Sequence, residues 1–204
     1  MSIQSFDVHE LNELNQINGY YTVGFHPWYI NPITPEDKFS LLENSLMNPL
    51  CLALGECGLD KNKGPEMKVQ KEVFINQIGL AQKFNIPLII HCVKAFDILF
   101  QLFRITPYFP VSIIHGFERN EALAIQLQKN GFFISLGVRA ILSGKMDHLI
   151  KMSDSSCFFI ESDDSDLPIQ NAYEKVSKLK NESILKLLEN QKKLYKKVFP
   201  KILL

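Results

Sequence analysis

The sequence predicts an α/β fold, a (βα) barrel of the TIM type, on three observations. Short apolar runs of strand character alternate with longer helical patterns along the chain. Neither glycine-rich phosphate loop, GxGxxG or GxxxxGKS/T, is present to favour an open nucleotide-binding sheet. Several of the apolar runs end in a histidine or a carboxylate, and in a (βα) barrel the C-terminal ends of the strands converge on one mouth.

The strands are expected at "YYTVG" (Tyr20 to Gly24), "CLALGE" (Cys51 to Glu56), "PLIIHC" (Pro87 to Cys92), "VSIIHG" (Val111 to Gly116), "FFISLG" (Phe132 to Gly137) and "CFFIES" (Cys157 to Ser162). They are nearly continuously apolar, as parallel strands covered on both faces are. Helical patterns lie between them. The clearest runs from Glu66 to Phe84, behind Pro65, with Val69, Val73, Ile78 and Leu80 on its apolar face. Others are expected over about Pro35 to Met47, Ala95 to Phe103, Asn120 to Asn130 and Ile169 to Lys178. The lysine-rich tail from Asn181 to Val198 reads as a surface helix packing Ile184, Leu187, Leu188 and Leu194 inward.

A chain of 204 residues with 46% hydrophobic content can bury a sizeable core, and without linkers, repeats or low-complexity segments it is expected to form one domain over residues 1–204. Lys plus Arg and Asp plus Glu both number 22, so no global charge draws it to a polyanion. The four cysteines, Cys51, Cys57, Cys92 and Cys157, lie in or beside strand-like runs without a CxxC pair, and are expected to be reduced in a cytoplasmic protein. The N-terminus lacks the apolar segment of a signal peptide, and no apolar run approaches the ~20 residues that span a bilayer, so no membrane partner is expected.

In chain order the strand ends deliver His26, Glu56, His91, His115 and Asp163. Imidazole and carboxylate are the ligands of hydrolytic divalent-metal sites, where the ion polarises a substrate oxygen and lowers the pKa of a water. Each residue also has a structural explanation. His26 before Pro27 can shape a turn, Glu56 can cap a loop, and Asp163 can be an N-cap in the acidic run from Glu161 to Asp164. A carboxylate ending an apolar strand is nevertheless costly unless a cation lies beside it.

The segments "GFHPW", "ALGECGLD", "QKEVFINQIGLAQKFNIPLIIHC", "IIHGF", "GFFISLG" and "FIESDD", in this order from about Gly24 to Asp164, are similar to those of the TatD-type metal-dependent hydrolases. These are amidohydrolase relatives with a TIM-like barrel, mostly described as deoxyribonucleases. The resemblance implies hydrolysis of phosphodiesters, DNA above all, with a divalent ion, commonly magnesium, with manganese or zinc as other candidates. It implies that Glu56 bridges metals, that His91 and His115 bind one of them, and that Asp163 binds the other or handles the attacking water. His26 would lie near the scissile phosphate, and Trp28 would stack on a base or sugar or pack at the barrel rim.

Two departures bear on activity. The family begins with a strand ending in an HxH pair, whereas "FDVHEL" offers His9 but has Leu11 at the second position. A whole βα unit needs about 30 residues, and only 23 precede Gly24. The barrel is therefore expected to be incomplete at its first strand, which implies either marginal stability or a partner surface over the gap, self-association being one way to cover it. After "IIHC" the family's arginine and aspartate are replaced by Val93 and Lys94. The expected function is a TatD-like hydrolase weakened by loss of the HxH ligands; the alternative is a catalytically silent binding or structural module on the same fold.

Overall fold

Near-continuous apolar strands set in a regular βα alternation give parallel ladders in the computed structural model, which describes residues 3–10, 19–31 and 36–202. The chain divides into two compact units, Met1–Ser112 with Phe199–Leu203, and Ile113–Val198.

The first unit carries strands β1 (Ile3–Asp7), β2 (Tyr20–Gly24), β3 (Cys51–Asp60) and β4 (Leu88–Val93), with helices α1 (Glu36–Leu46), α2 (Met67–Phe84) and α3 (Phe96–Ile105). Strands β1 to β4 pair in parallel in sequence order. Leu52, Ala53, Leu54, Cys57 and Leu59 of β3 are buried almost completely, the pattern of a parallel strand covered on both faces. The register sets Gly58 of β3 opposite His91 of β4. A Cβ at Gly58 would stand 2.1 Å from the His91 carbonyl oxygen, so the second glycine of "GECGLD" is required by the close approach of the strand bearing His91.

A strand does precede Tyr20–Gly24, which corrects the expectation of a missing first strand. The allowance of about 30 residues assumes a full βα unit, whereas a parallel crossover needs only about a dozen, and the sequence holds 12 residues between Asp7 and Tyr20. Gln4 and Ser5 are exposed while Ile3, Phe6 and Asp7 are half-buried, which is why the segment lacks the apolar signature of the other strands. Ser5 Oγ accepts a hydrogen bond from Thr22 Oγ1 at 3.1 Å. Leu11, at the family's second histidine position, lies outside the described residues, as does Pro35.

In the second unit, strands β5 (Ser112–Ile114, its last two residues in this unit), β6 (Phe133–Gly137) and β7 (Phe158–Glu161) pair in parallel. They alternate with α4 (Glu121–Lys129), α5 (Val138–Ser143) and α6 (Asp147–Met152), followed by α7 (Ile169–Lys180) and α8 (Ile184–Val198). Helix α4 is capped by Asn120 Oδ1, which accepts from Leu123 N at 3.0 Å. Helices α5 and α6 are absent from the sequence-based expectation, since six residues are too few to display a 3.6-residue period. In α8, Leu187 and Leu194 are buried as expected, while Ile184 and Leu188 are exposed and the polar Gln191 takes an inner position. Gln191 Nε2 donates to the carbonyls of Ser155 and Phe158, tying the helix to the start of β7.

Candidate metal centre

Both units place imidazoles and carboxylates at the ends of their strands. In the first unit β2 ends at Gly24 and the chain turns through Phe25-His26-Pro27-Trp28. The turn is held from two sides. Gln77 of α2, fully buried, accepts from Phe25 N at 2.8 Å and donates back to Phe25 O at 3.3 Å. Asp7, at the end of β1, accepts from His26 N at 2.9 Å and from His9 N at 3.0 Å. Burial pushes the Asp7 carboxyl up from its ordinary value, opposed by those two backbone donors.

His26 Nε2 stands 3.6 Å from Glu56 Oε2 of β3, and the His26 and His91 rings lie 4.6 Å apart between centroids. One ligand atom from each of His26, Glu56 and His91 falls within 4.8 Å of the others, close enough to share an ion. Their hydrogen bonds separate the roles of the two imidazoles. Trp28 N donates to His26 Nδ1 at 3.2 Å, so the neutral ring carries its proton on Nε2, the nitrogen facing Glu56. His91 Nε2 lies 2.9 Å from Asp60 Oδ2. An ionised carboxylate only accepts, so this ring carries its proton on Nε2, and Nδ1 is the basic nitrogen.

Asp60 is the residue that the strand-end pattern does not single out, although it closes "GECGLD". Its side chain is 3% exposed, and it also accepts from Trp28 Nε1 at 2.6 Å. Burial alone would raise its pKa; the donors Trp28 and His91 and the backbone N–H of Asn62 instead hold the carboxyl below its ordinary value. A carboxylate fixing the far nitrogen of an imidazole is the usual support of a metal-binding histidine, because it sets the tautomer and raises basicity. His91, so supported, and Glu56 beside it could hold a divalent ion.

The second unit repeats the device. His115 follows β5, and its Nδ1 lies 3.2 Å from Glu161 Oε1 at the end of β7. Glu161 is fixed by Gly116 N at 2.8 Å and by Ser135 Oγ at 2.6 Å. Burial would raise its pKa, but the His115 imidazole first, and then the Ser135 and Gly116 donors, bring it below the ordinary range. Nδ1 is thus the donor and Nε2 the basic nitrogen, 3.9 Å from Asp163 Oδ1. That spacing is long for a hydrogen bond but suits two ligands of one ion. Asp163 adopts a left-handed φ of 49° and is 46% exposed. Glu161, like Asp60, goes unnoticed in the sequence pattern, where Asp163 draws the attention.

Of the expected site residues, His26, Trp28, Glu56 and His91 are therefore brought together in the first unit, and His115 and Asp163 in the second. Lys94, with φ 53°, has no described contact with these groups.

Parallel strands that end in imidazoles and carboxylates put polar chemistry at the strand ends, as α/β folds of the TIM-barrel class do, and comparison with known proteins identifies the family. The TatD related DNase family profile matches residues 2–200; the chain belongs to that family. An uncharacterized metal-dependent hydrolase of Haemophilus influenzae is 28% identical over 159 residues, which cover 73% of this chain and 60% of the relative. Human deoxyribonuclease TATDN3 is 26% identical over 205 residues, covering 88% of this chain and 74% of that one. The crystal structure of YjjV, a TatD homologue from Escherichia coli, superposes with a TM-score of 0.80 over 97% of this chain and 85% of its own, at 19% identity. The α/β fold of the TIM type is thereby shared. The chain spans about three-fifths of the length of the Haemophilus relative. No described helix is long and apolar enough to cross a membrane.

Proposed function

We propose that the protein is a divalent-metal-dependent hydrolase of phosphodiester bonds acting on DNA, with magnesium as the working ion and manganese or zinc able to replace it. The observation that carries this is the pair of carboxylate-supported imidazoles, Asp60 on His91 at 2.9 Å and Glu161 on His115 at 3.2 Å. A core histidine needs one partner; these two each have a buried or half-buried carboxylate on one nitrogen and a second carboxylate nearby, Glu56 for the His26–His91 cluster and Asp163 for His115. The deoxyribonuclease name of the human relative supports DNA as the substrate class.

The ligands are Glu56 and His91 in the first unit, and His115 and Asp163 in the second. A divalent ion supplies positive charge for a phosphoryl oxygen and makes a water more acidic. His26 Nε2–H faces Glu56 and, with Glu56 engaged as a ligand, would become a donor to a phosphate oxygen as negative charge develops. Within the second unit, Asp163, exposed and beside His115 Nε2, would serve as ligand or as proton acceptor for a water. Glu56, 3.6 Å from His26 Nε2, keeps that imidazole oriented as well as serving as ligand. Trp28 borders the substrate, its indole fixed by Asp60.

The test is hydrolysis of single-stranded and duplex DNA by the purified chain. Cleavage is expected with magnesium or manganese, none with EDTA, and a loss of at least about a hundredfold in His91→Ala, with the circular dichroism spectrum unchanged. Cleavage that persists in EDTA, or in His91→Ala, would overturn the proposal.

A further inference from the structure

Beside the candidate centre of the first unit, a short loop holds one lysine in an unusually defined position. After β3 the chain turns over Lys61-Asn62-Lys63-Gly64-Pro65. Asp60 Oδ1 accepts from Asn62 N at 2.7 Å and Lys63 N at 3.2 Å. Gln70 of α2, 1% exposed, receives Asp60 N on its Oε1 at 2.7 Å and donates from Nε2 to the carbonyls of Asp60, Lys63 and Pro65 at 3.0, 3.1 and 2.8 Å. Gly64 has φ 95°, and a Cβ there would meet the Pro27 carbonyl oxygen at 2.3 Å. The loop is thus pressed against the turn that carries His26 and Trp28.

This places the Lys63 ammonium 3.6 Å from the centroid of the Trp28 ring, within the range of a cation–π contact. The same indole lies 4.9 Å from the His26 ring and 5.4 Å from the His91 ring. Its neighbour Lys61 is committed elsewhere, to both oxygens of Asp97 at 2.8 and 2.9 Å. Among the described residues Lys63 makes no ion pair. The surroundings carry the carboxylates Asp7, Glu56 and Asp60, and the Lys63 ammonium on the Trp28 face is a positive charge beside them.

We propose that Lys63 is a specificity-determining contact that binds a phosphate flanking the scissile one, selecting a nucleic-acid strand over an ester with a single phosphate. This rests on the phosphodiesterase function proposed above. The indole holds the ammonium by its face, so Trp28 acts with Lys63 as one unit. The geometry suits the backbone of a single strand, whose spaced phosphates let one occupy the Lys63 position while its neighbour reaches His26.

The test is binding of a fluorescein-labelled single-stranded oligodeoxythymidylate, followed by anisotropy in EDTA over a series of NaCl concentrations, with DNA cleavage by the wild type measured in parallel. Lys63→Gln is expected to bind about tenfold more weakly, with the slope of log affinity against log salt reduced by about 0.7, the value for one phosphate contact on a single strand. Lys63→Arg should retain the wild-type slope. Lys68→Gln, which removes an exposed cation at the start of α2, should match the wild type. Wild-type affinity and slope in Lys63→Gln, alongside wild-type cleavage, would overturn the contact while leaving the hydrolase proposal standing. An equal loss in Lys68→Gln would also overturn it, since any nearby cation would then serve. Binding that depends on Lys63 without cleavage would support the contact and reject hydrolysis. A wild type that neither binds nor cleaves would overturn both.

Discussion

His91 Nε2 and Asp60 Oδ2 lie 2.9 Å apart, joining a residue of β4 to the last residue of β3. Asp60 accepts on both oxygens at once, from the loop N–H groups of Asn62 and Lys63 on Oδ1 and from Trp28 and His91 on Oδ2. Asparagine has one acceptor oxygen and cannot serve both sides. In Asp60→Asn, divalent-metal affinity is therefore expected to fall about 10–100-fold, measured by competition with a chromophoric chelator. Wild-type affinity in that variant would show that His91 needs no such support.

Gln77 is fully buried and spends its amide on both backbone groups of Phe25, the residue before His26. Gln77→Leu keeps the volume but leaves those groups without their partner. Unsatisfied buried polar groups cost about 1–3 kcal/mol, so the urea midpoint should drop correspondingly. DNA cleavage should fall as well, because the turn that carries His26 loses its anchor. A variant as stable as the wild type would mean that the backbone of Phe25 finds water or another partner.

Much of this architecture is legible in the sequence, and what is not has physical causes. The six apolar strands and the long helices are readable because burial on both faces leaves continuous apolar runs, and a long amphipathic helix shows its period. Strand β1 is hidden because it is half-exposed and polar. Gln70 and Gln77 fall on the buried face of α2 beside Val73, Phe74 and Ile78, where a hydrophobicity pattern counts them as exceptions. They are the residues that fix the two loops of the candidate site. Asp60 and Glu161 escape for another reason: an orienting carboxylate is recognisable only through the imidazole it touches, and that pairing is made by the fold.

Stability is expected to fall at alkaline pH. Burial pushes the Cys51 thiol up to about 12 from 9.0, and the Tyr21 phenol up to about 12 from 10.0, the nearby Cys51 adding to the latter. Between the unfolded and folded values the unfolded chain has lost protons that the folded chain retains, so the stabilisation from these neutral groups is complete below pH 9 and is lost progressively as pH rises towards 12. Urea midpoints measured from pH 8 to 11 should decline. Cys51→Ala should flatten the part of the decline that starts nearest pH 9. The same decline in that variant would assign it to other groups.

Metal binding by the purified chain tests the central claim most directly. Manganese should be titrated into the wild type, Glu56→Gln and His91→Ala by calorimetry, with folding checked by circular dichroism. Saturable binding in the wild type, lost or weakened at least about tenfold in each variant, is the expected result. Binding that is absent in the wild type for manganese, zinc and magnesium alike, or that survives unchanged in both variants, would contradict a metal centre built on Glu56 and His91.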